Sequence, residues 1–117
     1  MPDRRRTRWP WALLLVLGAC SGESDDIDAV LRDPGALRGR NLESIETLFG
    51  KPAFSRRDGT AQVWQYSADI CFLDLFFYPK EGAETPTPVV THYEIRPKGD
   101  HAVTSRACLA TIAANKT

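Results

Sequence analysis

A chain of 117 residues with 15 basic and 15 acidic side chains carries no net charge, which removes the electrostatic basis for gripping nucleic acid. Its length holds it to one domain with one modest core. Three cysteines leave one without a partner, whichever two pair.

Arg4, Arg5, Arg6 and Arg8 precede an apolar run from Ala12 to Leu17, and Gly18 and Ala19 lead into Cys20. A basic head, a short apolar middle and small residues before a cut form the layout of a secretory signal peptide. The run is far below the roughly 20 apolar residues of a spanning helix. The alternative, a frayed or buried N-terminal helix, sets Leu13, Leu14, Leu15 and Leu17 beside four arginines. Leu17-Gly18-Ala19-Cys20 resembles the lipobox of bacterial lipoproteins. That resemblance implies removal of residues 1–19 as a signal peptide and lipidation of Cys20 on its sulfur and its new amine. Two or three acyl chains anchor stably where one does not. By the sorting pattern of such lipoproteins, Ser21 in place of an aspartate implies the periplasmic side of the outer membrane. A twin-arginine signal fits less well, since no hydrophobic pair follows the arginines. Cleavage takes away four arginines and one aspartate, leaving 98 residues with a net charge near −3.

Residues 20–26, "CSGESDD", read as a short acidic tether from Cys20, and residues 27–117 as a single domain. Ile27, Val30 and Leu31 recur at helical spacing, with Asp25 or Asp26 to cap and Pro34 to stop. In "NLESIETLFGKP" Leu42, Ile45, Leu48 and Phe49 share a face. Asn41 caps, Gly50 suits a left-handed exit and Pro52 forbids continuation, which predicts a helix over 42–49. Beyond Pro52 the period falls to two. Asp58-Gly59 predicts a tight hairpin between two strands. "ICFLDLFFYP" predicts a third strand, "KEGAETPTP" a loop and "VVTHYEIR" a fourth strand, before a C-terminal helix capped by Thr104 or Ser105. The order predicts an α+β fold: two short N-terminal helices on one face of an antiparallel meander of three to four strands, plus a C-terminal helix.

With Cys20 lipidated, Cys71 and Cys108 remain, and an oxidising periplasm predicts a disulfide between them. Metal binding is the rival, poorly served by two cysteines without paired histidines. Alternation places Trp64, Tyr66, Cys71, Leu73, Leu75, Phe77, Tyr93 and Ile95 on the core face of the sheet. Gln65, Phe72, Asp74, Phe76, Tyr78, His92, Glu94 and Arg96 fall on the other, and a one-residue slip exchanges the two sets.

Residues 37–96 then show a pattern: a helix ending in "LFGKP", a small hairpin, "VWQYSA", an aromatic strand and a last strand. Leu48, Gly50, Pro52, Trp64 and Tyr66 carry it, and it resembles the SmpA/OmlA (BamE-like) family of outer-membrane lipoproteins. The resemblance implies a two-helix, three-stranded fold shared with β-lactamase inhibitor proteins, and work in envelope assembly or maintenance. The Cys71/Cys108 pair, the "CFLDLFFY" strand and the C-terminal helix depart from it.

Catalytic chemistry is poorly represented. His92 lies mid-strand and His101 in a turn, and both read as solvated before they read as ligands. His92 with Asp74 or Glu94 is an acid/base pair only on a shallow, wet face. Ser67, Thr104 and Ser105 lack a nucleophile elbow, and "GRNLESIETLFG" lacks the spacing of a phosphate loop. No catalytic residue, metal or cofactor is expected. Phe72, Phe76 and Tyr78, with His92 beside them, form either ordinary core under the C-terminal helix or a partner-contact surface. The sequence thus points to a non-enzymatic interaction module bound to the membrane through Cys20, with an envelope protein as partner. A periplasmic inhibitor of a hydrolase is the second reading, and a small-ligand carrier the third.

Overall fold

The computed structural model describes residues 22–82, 84 and 86–116. The expected signal peptide of residues 1–19, the expected lipidation at Cys20 and the sorting position Ser21 lie outside them. Among the described residues no helix is long and apolar enough to cross a membrane.

Helix α1 spans Gly22–Arg32. It begins five residues before the predicted start at Ile27, so residues 22–26 are helical, and neither Asp25 nor Asp26 is the cap. Acidic sequence at a helix start complements the positive end of its dipole, which is why this stretch extends the helix. Asp26, now one turn inside, lies 3.9 Å from Arg40. Pro34 ends the run as predicted, but it also opens a 3₁₀ turn, Pro34–Leu37, that the periodicity did not announce. The Gly35 N–H donates to Asp33 Oδ1 at 3.0 Å, and the turn buries Leu37 completely. Helix α2 spans Leu42–Phe49, with the Ser44 N–H donating to Asn41 Oδ1 at 2.8 Å. Gly50 leaves it at φ 80°, a conformation that costs only glycine little.

Four strands follow: β1 Phe54–Asp58, β2 Ala61–Ser67, β3 Cys71–Pro79 and β4 Pro88–Pro97. They pair antiparallel in sequence order. The first hairpin turns on Gly59-Thr60, one residue later than predicted, because Asp58 pairs with Ala61. Gly59 takes φ 67° at the first loop position, where a type II′ turn calls for glycine. Between β3 and β4 the register slips: Phe76 opposes His92 but Phe77 opposes Val90. Thr91 is therefore the extra residue of a bulge, and Val90 joins the core. Helix α3, Ser105–Ala114, is capped by Thr104, whose Oγ1 accepts from the Ala107 N–H at 3.0 Å.

All helical elements meet the same sheet face. Val30, Leu37, Ile45, Leu48, Phe49, Leu109 and Ile112 pack on Trp64, Tyr66, Leu73, Leu75 and Phe77. The rings of Trp64 and Phe77 are 5.1 Å apart, and those of Phe49 and Tyr66 5.6 Å. Cys71 and Cys108 form the predicted disulfide with Cα atoms 5.8 Å apart, which ties α3 to the start of β3. The α+β fold is as expected, with four strands in the meander.

Closing a loop over a separation of 37 residues stabilises by about 3.8 kcal/mol in the chain-entropy account. Cys71→Ala with Cys108→Ala is expected to lose about 2–4 kcal/mol in urea unfolding, an effect that reductant reproduces in the wild type.

The Tyr66 hydroxyl donates to the Gly50 carbonyl at 2.7 Å in a buried site. Burial, with the Glu46 charge adding, raises the Tyr66 pKa well above its ordinary value. Only the neutral phenol suits the fold, so its contribution is whole below the unfolded pKa of about 10 and falls as pH climbs from there toward the raised folded value. Tyr66→Phe should cost about 1–3 kcal/mol at neutral pH, because the Gly50 carbonyl loses its donor. Unfolding measured across pH 9–11.5 should show the wild-type advantage over Tyr66→Phe shrinking above about pH 10.

Candidate functional site

With the helices on one side, among the described residues no element covers the opposite face of the sheet. The register sets its side chains in rows across the strands. Ser67, Phe72 and Arg96 form one row; Phe54, Gln65, Asp74 and Glu94 the next; Arg56, Val63, Phe76 and His92 the third. Gln65, Phe72, Asp74, Phe76, His92, Glu94 and Arg96 share this face as alternation implied, and Ser67 and Val63 of β2 join them. Phe54 and Arg56 from β1 belong to the same face, and strand parity across a two-residue hairpin was the signal that would have found them.

The middle of the face is polar and closed upon itself. Asp74 is only 8% exposed. Its Oδ1 accepts from Gln65 Nε2 at 2.9 Å, and its Oδ2 accepts from Arg96 Nε and Nη2 at 3.1 and 2.9 Å. A carboxylate in that position must be paired, and the fork of a guanidinium matches it. Arg96 also lies 4.7 Å from the centre of the Phe72 ring, and Lys98 Nζ 4.5 Å from it. Lys98 in turn donates to Ser67 Oγ at 2.8 Å. Two cations thus lie within cation–π distance of the Phe72 ring.

On the other side of Asp74, Phe76 sits 5.3 Å from the His92 ring. His92 Nε2 is 3.4 Å from Glu94 Oε2, on side chains about half exposed. Asp74 is taken up by Arg96 and Gln65, so the contemplated His92–Asp74 pair does not form. The His92–Glu94 pair does, in the open, with nothing to exclude water. Phe72 and Phe76 are half-buried and Tyr78 is 42% exposed. None of the three is core under α3, which the disulfide holds on the far side. His101 lies exposed in the turn before α3.

Clefts also open elsewhere among the described residues. One of about 130 Å³ lies between Phe49, Tyr66 and Ile112, and one of about 200 Å³ beside Leu42 and Pro88. Both are smaller than the roughly 300–1,000 Å³ of small-molecule sites. Among the described residues no group of three or more His, Cys, Asp or Glu side chains lies close enough to hold a metal ion.

Arg96→Ala should leave the Asp74 carboxylate with Gln65 alone and cost about 1.5–3 kcal/mol in urea unfolding. Glu94→Ala, one pair along the same strand but exposed, should stay within about 0.5 kcal/mol of wild type. Comparison with known proteins found no matching family model, no matching curated protein and no matching solved structure.

Proposed function

We propose that this chain is a lipoprotein of the SmpA/OmlA kind, cut before Cys20 and held by its lipid on the periplasmic side of the outer membrane. It acts there without catalysis, presenting its uncovered sheet face to an envelope protein. The observation that carries this reading is the two-sidedness of the sheet. A disulfide fixes α3 to the face on which α1 and α2 also pack, while Phe72, Phe76, Tyr78 and His92 stay accessible on the other. Aromatic side chains around a satisfied polar centre suit a protein interface, where buried anchors provide the energy and paired charges provide the register. The open setting of His92 and Glu94 supports binding over bond-breaking. The Leu17-Gly18-Ala19-Cys20 motif and the helix-exit pattern around Gly50 and Pro52 support the location and the kinship.

Metabolic labelling with an alkyne fatty acid should mark the wild-type chain in outer-membrane fractions. Cys20→Ala should carry no label and keep its signal peptide. Cross-linking in intact cells, followed by capture, should bring down an envelope protein. Phe72→Ser with Phe76→Ser, on an intact fold, should reduce that capture at least tenfold. A wild type that never takes label sinks the anchor, and capture that ignores the aromatic pair sinks the interface. Recovery of a soluble hydrolase instead would favour the inhibitor reading.

A further inference from the structure

We propose that the outer edge of β1 is a strand-addition site for an extended, acidic segment of a partner protein. The sheet has two edges, and they are treated differently. On β4 the Gly39 N–H donates to the Val90 carbonyl at 2.8 Å, and the Val90 N–H to the Arg40 carbonyl at 2.9 Å. The chain before α2 therefore occupies that edge at Val89–Val90, the Thr91 bulge distorts the next step, and prolines stand at both strand ends. Bulges, prolines and covering chain are the usual means of closing a sheet edge.

β1 has none of these. All five of its residues are exposed, so the helical layer stops short of it and its pairing with β2 holds it in the sheet. It contains neither proline nor glycine, and Phe54 at its start is 54% exposed, the most exposed large apolar side chain among the described residues. Arg56 and Arg57 are consecutive and so project from opposite faces. Among the described residues neither enters an ion pair.

Those two arginines decide the occupant. A second copy added antiparallel sets Arg56 against Arg56, or, slipped by one residue, Arg56 against Arg57; added parallel and in register it stacks each beside its like. Like charges directly opposite are destabilising, and Asp58 meets an arginine only in antiparallel registers that pair three residues or fewer, so the edge disfavours a second copy in its longer antiparallel overlaps. A segment with two adjacent carboxylates meets one arginine on each face, and an apolar residue beside them covers Phe54. Main-chain bonds then supply affinity and the alternating side chains specificity. The inference deepens the interaction reading and rests on it only in that the added strand comes from a protein partner.

The test uses the ¹⁵N-labelled chain as purified from its producing cells, in mild detergent, with a capped peptide Val-Thr-Val-Glu-Glu-Val-Thr as probe. Its comparators are the peptide with both glutamates replaced by lysine, and two forms N-methylated on alternate residues, odd or even. The glutamate peptide should shift the amide signals of residues 53–58. The lysine peptide should not, and one N-methylated form should bind while the other fails, since only one set of amides faces β1. Arg56→Glu with Arg57→Glu should weaken the glutamate peptide at least tenfold and admit the lysine peptide, with the core signals of Leu73 and Leu109 unmoved. If that variant does not fold, raising salt from 20 to 300 mM on the wild type should weaken binding by a similar factor. Unmoved β1 signals at millimolar peptide, equal binding of both N-methylated forms, or indifference to charge and salt would each overturn the proposal and leave the arginines as edge guards only. None of these outcomes depends on an envelope or a captured partner, so failure here is separable from failure of the interaction reading.

Discussion

The disulfide between Cys71 and Cys108 is the constraint on which the two-sided character of this molecule depends. Cys71 has the same strand parity as Leu73, Leu75 and Phe77, so whatever it is bonded to must lie on the core face. Cys108 sits on α3 between residues that would otherwise be free to choose a side, in a helix too short to be stable alone. Joining them commits α3, with Leu109 and Ile112, to the layer already occupied by α1 and α2. A chain this small has apolar helix surface for one face of a four-stranded sheet and not for two. Leaving the other face open is therefore a consequence of core assembly, and Phe72 and Phe76 stay only half-buried because Leu109 and Ile112 are elsewhere.

Much of this was legible because it is local. Asn41, the 3-to-4-residue spacing of Leu42, Ile45 and Phe49, and Gly50 with Pro52 delimit α2 without any tertiary information. The faces of β2 and β3 follow from alternation. Placing the first turn at Asp58-Gly59 instead of Gly59-Thr60 did no harm to the faces. Sliding a two-residue loop by one position changes the sum of paired residue numbers by two, so parity survives: Phe54 would oppose Val63 instead of Gln65, on the same face. The features that escaped are those without a local signature. The bulge at Thr91 answers to packing, since it is what brings Val90 inward while keeping His92 outward. The helical start at Gly22 was hidden because small and acidic residues show no apolar period. The partner of Asp74 was hidden for a different reason: Arg96 lies 22 residues away and one row across the sheet, a diagonal that alternation cannot select. The expected signal peptide and the expected lipidation of Cys20 rest on sequence alone, as residues 1–21 lie outside the described ones.

The internal pairing of the open face bears on what docking there would cost. Burying a bare carboxylate under a partner carries a desolvation penalty that an interface rarely recovers. Here that penalty has largely been met in folding, since Asp74 is already shielded and bonded to Gln65 and Arg96. Phe72 is likewise in contact with Arg96 and Lys98 in the free chain, which would lower the rotamer entropy lost on contact. Val63, buried on this side with no helix above it, shows how closely the neighbouring side chains already pack. What a partner meets is a pre-ordered surface whose charges are satisfied at the centre and whose aromatic area flanks it on both sides. Such a face gains from apolar contact without having to break its own bonds. The same logic explains why its polar centre is an aspartate–arginine fork rather than a pair of free charges. Unpaired groups there would have to be desolvated on every later contact, whereas the Asp74–Arg96 pair satisfies the centre and leaves the aromatic flanks available.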